Sequence, residues 1–183
     1  MVRDWENVSA RIQQYKTSGD PFHRMFFNKH FAQASVAFLR AGRDREAAIC
    51  DAYLLRENAH LISTTTNAAR IQAFITTADA FIVCAQNSPS KQVNERLAYY
   101  RTAGECYLEA RCLKDAGHSY QMAEQYATAA CTYQEGGYFD ELVEVITQHR
   151  GAFDSGLLEN LTEAAQMYYF KVCFNKCLVS EYL

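Results

Sequence analysis

The sequence predicts an all-α chain, a helical solenoid of antiparallel helix pairs, and three observations carry that expectation. Only two prolines occur, Pro21 and Pro89, both in turn-like contexts (TSGDP and QNSPSK), so long windows stay free for helix. Apolar residues recur at three and four, alanine is abundant, and alternating strand patterns are hard to find. One pattern, small-x3-Tyr-x2-small, returns every 13 residues: Ala103, Tyr107, Ala110; Ala116, Tyr120, Ala123; Ala129, Tyr133, Gly136. That spacing puts all three side chains on one helix face. A beat of this length makes a helix of about ten residues and a tight turn, so each helix buries an alanine–tyrosine stripe against the next.

The elements follow in order as one helical-repeat domain over 1–183. Residues 1–86 hold longer helices: about Asp4 to Tyr15, about Phe22 to Ala41, Arg45 to about Ala59, and Asn67 to Gln86. Gly42 suits a helix C-terminus because it tolerates positive φ. STTTN (63–67) is a polar break, with Asn67 placed to cap the helix after it. Residues 87–91 read as a linker. Shorter helices on the 13-residue beat fill 92–150, at about 92–110, 113–123, 124–136 and 138–149. After a break at Gly151–Gly156, residues 157–183 form a C-terminal helical segment.

Composition narrows the function. The chain has 183 residues, 49% hydrophobic and 21% charged, which suits a folded domain rather than a disordered one. A net charge of -3 leaves no global basic footprint for nucleic acid. The seven cysteines form no C-x2-C and no regular framework, so they read as buried thiols of a reducing compartment. The N-terminal MVRDWENVSARIQQ lacks the apolar core of a secretory signal. The apolar runs are broken by charge or amide side chains before reaching the length of a membrane span. The expected address is the cytoplasm, with the nucleus as the second choice and no membrane partner.

The beat resembles the tetratricopeptide pattern W-x2-L-G-x2-Y…A-x3-F. Tyr100-x2-Ala103-Gly104-x2-Tyr107 leads to Ala116-x3-Tyr120-x2-Ala123. Twenty-six residues on, Tyr126-x2-Ala129-Ala130-x2-Tyr133 leads to Leu142-x3-Ile146. A weaker copy is Phe31-x2-Ala34-Ser35-x2-Phe38, then Ala47. The period is 26 rather than 34 and no proline closes the unit, so "tetratricopeptide-like" is the term that fits. A narrower resemblance rests on the order of FAQASVAFLRAGRDREAAICDAYLLRENA (31–59), AFITTADAFIVCA (73–85), ERLAYYRTAGECYLEA (95–110) and YFDELVEVITQHR (138–150). It is similar to a helical region of large fungal proteins related to the tetratricopeptide and ankyrin repeat-containing protein, which also carry a UvrD-like superfamily 1 helicase core. The resemblance implies a helical appendage without the motor. A P-loop needs G-x4-G-K-[ST], and no glycine here precedes a lysine.

Chemistry-bearing residues form no catalytic set. Gly117-His118-Ser119 has part of a G-x-S-x-G elbow, but position 121 is Gln and the segment reads as helix. The histidines His23, His30, His60, His118 and His149 make no ligand pair, and His149-Arg150 suits a helix C-terminus. Cys173 and Cys177 share a face without a partner pair. The tyrosines lack the interleaved basic residues of a single-strand stacking platform. Arg40, Arg43 and Arg45 with Asp44 read as a solvated turn.

The expected function is therefore a non-catalytic protein-interaction or scaffold module, with no enzyme activity, cofactor or metal. The alternative is a helical accessory or regulatory segment of an ATP-dependent nucleic-acid helicase whose motor is absent from this chain. Nucleic acid is not expected as a ligand of this chain alone. Residues between the packing positions are the candidates to bind a protein or peptide: Arg101, Glu105, Leu108, Glu109, Gln134 and Glu135. In the last segment one stripe would bury Leu158, Leu161, Ala165, Tyr168 and Val172. That leaves Tyr169, Phe170, Cys173 or Phe174 on other faces, and Tyr169 and Phe174 are the candidates to meet further helices or a second copy.

Overall fold

The computed structural model describes residues 21–62 and 67–181, with side chains placed for 29–62 and 67–172. The helix expected at Asp4–Tyr15 and the residues 63–66 of the polar break lie outside the described residues. Eight α-helices account for nearly all the rest: α1 (Pro21–Arg40), α2 (Asp44–Leu61), α3 (Asn67–Gln86), α4 (Val93–Glu109), α5 (Leu113–Met122), α6 (Tyr126–Gly136), α7 (Phe139–Gln148) and α8 (Ser155–Glu181). A 3-10 turn, Arg150–Ala152, separates α7 from α8, and no strand occurs among the described residues. The chain divides into two compact units, Met1–Asn87 and Ser88–Leu183, with the change at the segment read as a linker.

In the first unit α1 packs on α2 and α2 on α3. Tyr53 of α2 joins the three. Its ring stacks on Phe31 of α1 at 5.6 Å and meets Phe81 of α3 edge-on at 5.2 Å, geometries that suit the aromatic quadrupole. Phe74, Ala78, Phe81 and Ala85 bury one face of α3. Among the described residues α3 is the one helix long and apolar enough, by length and composition alone, to cross a membrane. Arg70 and Asp79 interrupt its apolar run.

The second unit is repeat-like. Each of α4 to α7 packs against its successor, and α6 also reaches α8. The beat positions are where the burial is: Ala103, Ala116 and Ala129 are fully buried, with Ala110, Tyr120, Ala123 and Tyr133 almost so. Tyr107 and Gly136 at the two ends of the series are half-buried. The tyrosine rings sit on small residues of the preceding helix. A methyl group at Gly104 would lie 2.9 Å from the Tyr120 ring, and one at Gly117 would lie 2.5 Å from the Tyr133 ring. Bare glycine there lets ring meet backbone, at the expense of helix propensity. The ring follows its glycine by sixteen positions in both pairs. The same step from Ala130 arrives at Ile146, which packs against the same core. Where the glycine gains a methyl group, the ring gives way to a slimmer side chain.

The turns repeat as well. Arg111, Glu124 and Gly137 occupy the left-handed region at φ 60, 59 and 75, thirteen residues apart. At each, the next N–H donates back to the carbonyl of the beat tyrosine: Cys112 to Tyr107, Gln125 to Tyr120 and Tyr138 to Tyr133, all at 2.9 Å. The left-handed residue itself donates to Leu108, Gln121 and Gln134 at 3.0 to 3.1 Å. This is the Schellman termination, which satisfies the last helix carbonyls and reverses the chain in very few residues. Gly42 ends α1 the same way, with Arg43 donating to Phe38.

Two of these left-handed positions carry side chains, which strains them. Glu124→Gly is expected to raise stability by about 0.5–1 kcal/mol, the relief of the left-handed penalty exceeding the added freedom of the unfolded chain. Chemical denaturation measures it, and a lower midpoint for the variant refutes the turn assignment. Arg111→Gly should gain less, because it also removes an exposed ion pair with Glu135 at 3.3 Å.

Candidate interaction surface

Of the residues expected to line a binding face, Arg101, Glu109 and Glu135 are exposed, while Glu105, Leu108 and Gln134 are half-buried. On α4, Arg101 and Glu105 form an i,i+4 pair at 3.9 Å, too wet to contribute much. Glu109 is exposed. Leu108 is half-buried and packs against the core, as befits a position whose counterparts one and two beats later, Gln121 and Gln134, are also half-buried. On α6, Gln134 spends its backbone carbonyl in the Gly137 turn, and Glu135 pairs with Arg111. The side chain of Phe174 lies outside the described residues, as do those of Cys173 and Cys177.

The serine of the incomplete G-x-S-x-G elbow is a packing residue, as its helical context predicts. Ser119 is 1% exposed, and its hydroxyl donates to the Asp115 carbonyl at 2.8 Å within α5. Thr77, Thr102 and Thr132 use their hydroxyls in the same way. His149 ends α7 with its ring stacked on Tyr126 at 3.7 Å. No group of three or more His, Cys, Asp or Glu among the described residues could hold a metal ion. Cys50, Cys84 and Cys106 are buried thiols as expected, but Cys131 is exposed. The beat explains the exception: thirteen and twenty-six positions earlier stand His118 and Glu105, which also reach solvent.

Burial has an electrostatic consequence. It pushes the Tyr133 phenol up to about 12 and the Cys50 and Cys84 thiols up to about 12 and 11. Groups with raised folded values support the native state below their unfolded pKa, and that support is lost as pH rises through the folded one. Stability should therefore fall steadily once pH passes the ordinary thiol and phenol values of roughly 9–10. Tyr133→Phe should flatten the upper part of that slope in melts across alkaline pH. An unchanged slope would mean that the phenol is solvated.

The structure draws attention instead to α7 and α8. An open groove of about 530 Å3 runs between them, walled by Val143 and Ile146 from α7 and by Leu158, Ala165 and Tyr169 from α8. Thr147, Thr162 and Gln166 also line it, with Arg150 after the end of α7. At one end the two helices are tied: the Tyr169 hydroxyl donates to the Asp140 carboxylate, and Tyr168 stacks on Phe139 at 4.3 Å. The hydrogen bond to a carboxylate holds the Tyr169 phenol well above its ordinary value. Leu161 and Ala165 are buried as the stripe predicts, but Tyr168 is not. Its stacking on Phe139 places it at the margin of the interface between α7 and α8 rather than beneath it. Beyond this margin Met167 and Phe170 stand out at 53% and 68% exposure.

Sequence reasoning missed the α7 wall. Its signal was present in FDELVEVITQ, where Val143 and Thr147 fall on one face while Leu142 and Val145 fall on another. No family model matches this chain, and neither a curated protein nor a solved structure does.

Proposed function

We propose that the chain is a non-catalytic protein-interaction module, a tetratricopeptide-like solenoid that meets its partner at the α7–α8 end. One contrast supports this reading. On α5 and α6 the beat tyrosines Tyr120 and Tyr133 are turned inward onto glycine, whereas on α8 Met167 and Phe170 are left in solvent. Large apolar side chains three apart on one helix and left side by side in solvent mark a contact surface. The alternative, an accessory segment of a nucleic-acid helicase, has only the sequence resemblance behind it.

The test is affinity capture from the native cell extract with the full chain as bait. The wild type should retain a protein that the Met167→Glu/Phe170→Glu variant does not, with both baits melting alike. Equal capture by the two baits, or none by the wild type above a blank matrix, would refute the reading. Salt-sensitive binding of single-stranded DNA would favour the alternative.

A further inference from the structure

We infer that the α7–α8 groove is a seat for an amphipathic helix, supplied by another protein, with an apolar stripe and basic flanks. This deepens the interaction-module reading and rests on it. The occupant is helical because the groove lies between two helices, and a third helix packs its ridges into such a groove. This pair of helices already accepts one such neighbour, since α6 packs against both α7 and α8. The walls are apolar, from Val143, Ile146, Leu158 and Ala165, so the stripe must be apolar too.

The charge of the flanks follows from the lips. Residues three apart on a helix are surface neighbours, and four lining residues each have an exposed carboxylate three positions before them. Asp140 precedes Val143 and Glu144 precedes Thr147 on α7; Glu159 precedes Thr162 and Glu163 precedes Gln166 on α8. Both lips of the groove are thus acidic, against the single lining cation Arg150. Complementarity of this kind selects lysine or arginine on the flanks and rejects acids there.

The probe is a pair of designed helical peptides with capped ends. Both carry leucine at i, i+3, i+4 and i+7; one has lysine and arginine flanks, the other glutamate flanks. Fluorescence anisotropy against the full chain should show the basic peptide binding at least about tenfold tighter, with the difference shrinking as salt is raised. Val143→Arg, or Thr162→Arg should the first variant fail to fold, should weaken the basic peptide by about tenfold or more. Thr128→Arg, at an exposed position of α6 outside the groove, should leave it unchanged. Equal binding of both peptides, or binding of neither, overturns the inference. So does concentration-dependent self-association of the wild type that Val143→Arg abolishes, which would make a second copy the occupant. Capture of a cellular partner that depends on Met167 and Phe170 while neither peptide binds would refute the groove and leave the interaction module standing. Selective peptide binding without any such capture would keep the groove and refute Met167 and Phe170 as the contact surface.

Discussion

Tyr133→Ala is expected to cost about 3–5 kcal/mol, the range for truncating a buried aromatic side chain. The ring is 2% exposed and rests against Gly117, whose missing side chain leaves nothing to collapse into the hole. Ala129, Leu142 and Val145 belong to the same core and are all but inaccessible to water. The hydroxyl adds little, since its nearest polar partner, the Gln121 side-chain oxygen, is at 3.5 Å. A loss of this size is a large part of the total stability of an ordinary domain, about 5–15 kcal/mol. Tyr120→Ala should follow closely, because that ring is 5% exposed and covers Gly104. Tyr107→Ala should cost clearly less, because Tyr107 is half-buried at the start of the series. Urea melts followed by circular dichroism rank the three. A Tyr133→Ala midpoint equal to that of the wild type, or a Tyr107→Ala loss as large as that of Tyr133→Ala, would show that the beat is not a packing code.

The gradation shows what was legible in the sequence. The 13-residue spacing marks which side chains go inside, because alanine and tyrosine on one helix face have few uses other than close packing. It does not mark how each helix ends. Gly42 and Gly137 announce a left-handed residue, but Arg111 and Glu124 adopt the same φ with side chains that give no hint of it. There the turn is imposed by the packing of the helix before it and of the next helix after it. Cys131 shows the opposite case. Its chemistry suggests burial, and only its register against His118 and Glu105 places it in solvent. The α7–α8 groove was the least legible feature. Its walls come from two helices joined through a break, and Val143 and Leu158 face each other only after both helices have settled on α6. Tyr168 was misplaced for the same reason: a single-helix stripe cannot foresee that Phe139 would be its partner.

Crowding the small residues of the beat should hurt for the complementary reason. Ala116→Leu is expected to lose about 1–3 kcal/mol by overpacking a fully buried position. Gly117→Ala is the sharper test, because two effects oppose. In an open helix the change would gain about 1 kcal/mol of propensity. Here the new methyl group would sit 2.5 to 2.9 Å from three atoms of the Tyr133 ring, a clash on the same scale of about 1–3 kcal/mol. The ring cannot swing aside, because it is part of the buried core, so the clash should win and the variant should be less stable. Tyr133→Leu removes the obstructing ring edge. In that background Gly117→Ala should turn stabilising, approaching the propensity gain, and the double-mutant cycle should return a favourable coupling of about 1–3 kcal/mol. The chain already contains the outcome at Ala130 and Ile146, where the next step of the beat carries the methyl group and no ring. If Gly117→Ala stabilises the wild type, or if the cycle closes with no coupling, Tyr133 does not pack on Gly117, and the ring-on-glycine register from α4 to α6 is wrong.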